Sequence, residues 1–275
     1  MQLLGRKKKN WKLIITISLI LLSGCSITNW FLWSNGESGG RDTIPVELNA
    51  LIEMAEYSQL IYEKKDGGFK ERVVEEQYGV SQRGQKDVFS YYVKQDNGVT
   101  ILVFRGTNNA QNVLTDLDAR FFHDDNLDLK LHRGFRDASE KLYEAILTEG
   151  WLCKNDVCKI EHTVYLTGHS LGGAIAQIIG MWLHEKGHNV QIFTFGSPKV
   201  TTKFRFNEPN HWRVAIGSDP IPFLPPFPYV HSGIHINPKT LDWDETHKEG
   251  SFLKIDGLDH SIDDYLGWLK KNIDK

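Results

Sequence analysis

Apolar residues recur along this chain at two spacings, and the two alternate. Leu48, Leu51, Ile52 and Ala55 mark one face of a helical pattern over residues 46–62. Residues 72–78 and 87–93 read as strands joined by a glycine-containing turn. Val99–Phe104 reads as a continuous apolar run, the mark of a central strand buried on both faces. Helical spacing returns with Phe135, Ala138, Leu142, Ala145 and Ile146. Residues 163–167 form a short alternating strand, and residues 174–183 are apolar nearly all round, as a buried helix would be. Residues 191–195 and 212–216 add two apolar strands. Ile262, Tyr265, Leu266, Leu269 and Ile273 give an amphipathic closing helix. Such alternation predicts an α/β fold whose mostly parallel central sheet is flanked by helices. Reactive residues then belong on loops at the carboxyl ends of the strands.

One of those loops carries chemistry. Gly168-His169-Ser170-Leu171-Gly172 lies between a predicted strand and a predicted helix, the setting of a nucleophile elbow. The glycines allow a strand to reverse sharply into a helix. Ser170 then stands at a helix N-terminus with its hydroxyl exposed, and the Leu171 N–H points to where an oxyanion would form. A serine alone is a poor nucleophile, so a histidine base and an orienting carboxylate are required. In sheets of this kind the carboxylate and then the histidine follow the serine in the chain. Asp219 follows the strand at residues 212–216 and is stiffened by Pro220. His260 lies just before the closing helix. His231, His235 and His247 are the other late histidines; His231 and His235 alternate as in a strand and suit structural or pocket roles. His169 lies inside the elbow, but its position aims it away from Ser170.

The amino terminus changes the charge picture. Arg6, Lys7, Lys8, Lys9 and Lys12 precede an uncharged apolar stretch at residues 13–22. That stretch is shorter than the ~20 residues a bilayer span needs, so its order is that of a secretory signal peptide. It ends in Leu22-Ser23-Gly24-Cys25, which resembles the lipobox of bacterial lipoproteins. The resemblance implies cleavage before Cys25 and acylation of that cysteine; an ordinary signal peptide or an uncleaved anchor are the alternatives. Ser26, in place of an aspartate, favours the outer membrane where one exists. The organisation expected is a lipoprotein signal peptide at 1–24, a tether at 25–41 and one domain at 42–275. Trp30, Phe31, Leu32 and Trp33 in the tether suit either a headgroup layer or packing on the domain. The whole chain has 32 Lys and Arg against 35 Asp and Glu; without the five basic residues of the leader the balance is 27 against 35, a net −8. An acidic body without a basic cluster argues against nucleic acid and against electrostatic docking on anionic lipid. Cys153 and Cys158 are the only other cysteines and can close a small disulfide loop in an oxidising compartment. Free thiols, and more remotely a metal site with His162, are the other readings.

The motifs taken together resemble the class 3 lipase family. They are Phe104-Arg105-Gly106-Thr107, His132-Arg133-Gly134-Phe135, the elbow with Gly173, Phe195-Gly196-Ser197-Pro198, Asp219-Pro220-Ile221-Pro222, Tyr229-Val230-His231-Ser232-Gly233, and His260 with Tyr265 after it. The resemblance implies an α/β-hydrolase fold, with Ser170 as nucleophile, His260 as base and Asp219 as its partner. It adds Thr107 to Leu171 as an oxyanion-hole residue. It also implies a mobile lid over residues 108–117, where many members carry a large aromatic and this chain has Val113. The acidic stretch at residues 121–126 has no assignment. No metal or cofactor is needed for the implied chemistry, hydrolysis of lipid esters such as acylglycerols through an acyl-enzyme. A phospholipase A1 or acyltransferase would use the same residues, and an inactive lipid- or partner-binding envelope lipoprotein is the rival outside enzymes.

Overall fold

The structure, a computed structural model, describes residues 46–63, 70–75, 88–96, 98–106, 120–154, 157–158, 162–203, 210–244 and 259–273. A compact unit spans Ile44–Lys275. Cys25, Thr107, residues 108–117 and His247 lie outside the described residues.

Its frame is an eight-stranded sheet. The strands are β1 (Lys70–Glu75), β2 (Val88–Asp96), β3 (Val99–Phe104), β8 (Thr163–His169), β9 (Asn189–Phe195), β10 (Asn210–Val214), β11 (Ile234–Ile236) and β12 (Trp243–Asp244), in that spatial order. The five inner strands, β3 to β11, pair in parallel, and antiparallel pairs close both edges. Parallel neighbours need crossovers, and an α-helix lies in those that join β3 to β8 and β8 to β9. The α-helices among the described residues are α1 (Leu48–Glu63), α2 (Arg133–Thr148), α3 (Leu171–Glu185) and α4 (Ile262–Lys270). The expected α/β-hydrolase architecture, a mostly parallel sheet flanked by helices, is what the chain adopts.

Strand alternation decides which helix covers which face. Leu102, Phe104, Val164, Leu166, Val190 and Ile192 join one core with Phe135 and Leu142 of α2 and Ile175, Ile178 and Ile179 of α3. Thr167 looks the other way, its hydroxyl 3.0 Å from Ser58 Oγ and donating to the Met54 carbonyl of α1 at 3.2 Å. Helix α4 packs beside α1. Every residue of α3 from Leu171 to Leu183 is buried, which accounts for its having no polar face.

Some element bounds differ from the sequence pattern. The acidic stretch at residues 121–126 begins as strand β4 (Phe121–Asp124), paired with β5 (Leu129–His132) in a separate hairpin. Asp124 holds that hairpin's turn, accepting from the Asn126 and Leu127 N–H groups and from Trp182 Nε1. Its charge had a buried job that composition could not show. Helix α4 stops at Lys270, so Ile273 does not belong to its apolar face and is exposed. His231 lies in the loop before β11, and only His235 is in the strand. A third small sheet pairs β6 (Cys153–Lys154) with β7 (Val157–Cys158), and its register sets Cys153 opposite Cys158.

Candidate active site

Strand β8 ends at His169, α3 begins at Leu171, and Ser170 is the single residue between them. Its backbone sits at φ 58°, ψ −128°, a conformation that costs an L-residue about 1–3 kcal/mol and persists only where neighbours over-determine it. They do so here. Ser170 N–H donates to the Phe195 carbonyl at 3.0 Å, and the Gly173 N–H returns to the Ser170 carbonyl at 3.0 Å. Close approach makes the same demand at Gly172, where a β-carbon would collide with the Phe104 carbonyl at the end of β3. The expected exposed hydroxyl is not observed: Ser170 is 0% exposed. Its Oγ is engaged by a histidine.

That histidine is His260. Its Nε2 lies 2.9 Å from Ser170 Oγ and its Nδ1 lies 2.8 Å from Asp219 Oδ2. The three side chains come from the ends of β8, β10 and the segment entering α4, at the carboxyl edge of the parallel strands. Asp219 is wholly buried and none of its oxygens is idle. Oδ1 accepts the Ile221 N–H at 2.8 Å, and Oδ2 accepts the Tyr265 hydroxyl at 2.7 Å as well as His260. Burial, and then the Asp219 charge, push the Tyr265 phenol well above its usual range, so it is a fixed donor. A second contact aligns the two loops: Ser218 Oγ donates to Asp259 Oδ2 at 2.6 Å, each the residue just before a member of the chain of hydrogen bonds.

Gly196 lies beneath this couple at φ 55°. A β-carbon there would come within 2.7 Å of Asp219 Oδ2 and 3.2 Å of His260 Nδ1. Leu171, the first residue of α3, has an N–H with no intrahelical acceptor, available beside Ser170. Of the other histidines, His231 Nε2 lies 2.6 Å from the Pro222 carbonyl and His235 Nε2 lies 3.0 Å from the Ala215 carbonyl. Both brace loops behind the site. The motifs beside His260 and Ser197 carry Tyr265 and Gly196 without a role in the site, and the helical spacing places Tyr265 on the apolar face of the closing helix. Among the described residues no cluster of three His, Cys, Asp or Glu side chains is arranged to hold a metal ion.

Residues 101–229 match the family model described as lipase (class 3). Over that stretch, a little under half of its length, the chain is similar to the class 3 lipase family. Over 162 residues it is 33% identical to a secreted mono- and diacylglycerol lipase of Fusarium solani, covering 54% of this chain and 47% of that protein. It is 31% identical over 169 residues to a lipase of Rhizopus niveus, covering 54% of this chain and 41% of that one. The chain thus spans less than half the length of these curated relatives. Among solved structures, the lipase of Rhizopus microsporus var. chinensis superposes with a TM-score of 0.53 at 20% identity, over 79% of this chain and 85% of that one. Lipase II of Rhizopus niveus superposes with a TM-score of 0.50 at 20% identity, over 81% and 95%. These likenesses establish the α/β-hydrolase fold. The match begins within β3 and ends at Tyr229, so it takes in the class 3 lipase elbow and Asp219 and stops short of His260.

Proposed function

We propose that this chain is a class 3 lipase, a serine hydrolase of carboxylic esters acting on acylglycerols through an acyl-enzyme. The observation that carries the reading is the unbroken sequence Ser170 Oγ, His260 Nε2, His260 Nδ1, Asp219 Oδ2 at 2.9 and 2.8 Å. Ser170 attacks the acyl carbon while His260 takes its proton. Asp219 keeps Nδ1 protonated, so that Nε2 is the basic nitrogen, and stabilises the imidazolium that forms. The Leu171 N–H and that of Thr107, which follows the described end of β3, hold the oxyanion. His260 returns the proton to the leaving alcohol, then activates water to release the acid and regenerate Ser170. Nothing in this cycle calls for a cofactor.

The relatives named as mono- and diacylglycerol lipases favour neutral glycerides over phospholipid as acyl donors. The leader supports a cell-envelope location. In that reading residues 1–24 are removed, Cys25 carries the lipid anchor, residues 25–41 tether the domain, and Cys153 and Cys158 form a disulfide across their strand pair. More than one acyl chain is needed for stable attachment.

The test is release of fatty acid from emulsified diacylglycerol and from phosphatidylcholine by the purified chain, with Ser170→Ala as control. Hydrolysis of diacylglycerol in preference to phospholipid, lost in Ser170→Ala, is expected. Activity on phospholipid alone would replace acylglycerol by membrane lipid. No turnover of any ester would leave the binding-protein alternative.

A further inference from the structure

The hydrogen-bond chain of Ser170, His260 and Asp219 leaves one buried imidazole beside it unused. His169 is the residue before Ser170, and its ring lies 4.5 Å from that of His260, tilted 35°. Its Nδ1 is 3.2 Å from the Tyr62 hydroxyl at the end of α1. Tyr62 in turn receives the Gly106 N–H, from the residue preceding Thr107. A phenol whose oxygen already accepts an N–H directs its own proton to the remaining acceptor, here Nδ1. Burial holds the Tyr62 phenol well above its usual range, so that proton stays in place. His169 is therefore held with Nδ1 bare and the proton on Nε2. Nε2 is enclosed.

We infer that Tyr62 and His169 form a neutral positioning pair for the base: Tyr62 fixes the His169 tautomer, and the His169 ring backs His260 against Ser170. This inference rests on the proposed hydrolase reading. The groups facing His169 are consistent with a ring kept uncharged. Tyr62 faces it from α1, with the Arg105 guanidinium from the end of β3 lying 5.9 Å from the Tyr62 ring. Tyr265, whose hydroxyl is bound to Asp219, faces it from α4 at 6.2 Å between ring centroids, and His260 faces it from the loop before α4. Among the described residues no carboxylate is hydrogen-bonded to it. Burial first, and the neighbouring His260 second, depress its basicity well below the usual histidine range. A proton on His169 would oppose the imidazolium that His260 must become in the transition state. The phenol bond works against that proton, because accepting at Nδ1 stabilises the neutral ring.

The experiment uses p-nitrophenyl butyrate below its solubility limit, with rates normalised to active sites titrated by a phosphonate and folding checked by thermal unfolding. Tyr62→Phe keeps the ring and removes the donor; His169→Phe keeps a ring and removes the titratable group. Each is expected to lower kcat by roughly tenfold to a hundredfold with little change in KM, since positioning of the base is what is lost. The double variant should be no worse than the worse single one, because both remove the same bond. A Tyr62→Phe enzyme with wild-type kcat, a loss that falls on KM instead of kcat, or strictly additive losses in the double variant would overturn the pair. Failure of the wild-type chain to hydrolyse the ester would instead count against the hydrolase reading itself.

Discussion

At the scale of single residues, the site is a set of proton positions, and each is held by a named donor. Asp219 accepts three hydrogen bonds in full burial, one from backbone and two from side chains that share Oδ2. Removing the Tyr265 hydroxyl takes away the one side-chain donor that plays no part in proton transfer. Tyr265→Phe is accordingly expected to cost about tenfold or less in kcat, and Asp219→Asn far more, because the amide presents the wrong partner to Nδ1. Steady-state kinetics on a dissolved ester separate the two, and equal losses would show that Asp219 acts mainly through Tyr265. The late histidines give a second contrast. His260→Ala should abolish turnover, while His231→Ala should lose the brace to the Pro222 carbonyl and keep most activity. A His231 variant more damaged than the His260 variant would transfer the base to the wrong loop.

Elements carry strain that single side chains cannot reveal. The sharp join between β8 and α3 was legible because Gly168 and Gly172 flank Ser170 between an alternating and an all-apolar segment. The role of Gly196 was not legible, since its positive φ and its contact with Asp219 and His260 arise only when β9 and β10 lie side by side. Gly196→Ala must both adopt a left-handed backbone and displace the Asp219–His260 couple. We expect a lower unfolding midpoint from about 1–3 kcal/mol of strain, together with a loss of kcat out of proportion to it. Unchanged kcat would mean that the couple can shift without consequence. The hairpin of β4 and β5 shows a related limit: its acidic composition carries no assignment, yet Asp124 is buried against Trp182. His169 was read as aimed away from Ser170, and its contact with His260 depends on where the loop before α4 comes to rest. Long-range placement of this kind leaves no periodic trace in sequence.

For the whole molecule, the order of elements decided what could be read in advance. The two spacings of apolar residues were enough for a parallel sheet under helices, and the order serine, aspartate, histidine follows from that architecture. What lies before residue 46 rests on sequence alone. Labelling cells with radioactive palmitate should mark the wild-type chain and not Cys25→Ala. Equal labelling of both would remove the lipid anchor from the account. Peptide mapping of envelope protein without reductant should likewise recover Cys153 joined to Cys158, as their strand register allows. Full alkylation of both thiols in that material would contradict the disulfide.

The central claim is that Ser170 is a nucleophile activated by His260 and Asp219, and a serine-reactive phosphonate tests it without any choice of substrate. Incubated with excess reagent, the purified chain should take up a single phosphonyl group, recovered on the peptide carrying Ser170, with ester hydrolysis falling in step. Ser170→Ala should take up none and should lose about 10⁴-fold or more of kcat, because nucleophile and base act as a unit. Labelling of Ser170→Ala at the wild-type rate, or a tenth of wild-type turnover remaining in it, would contradict the account.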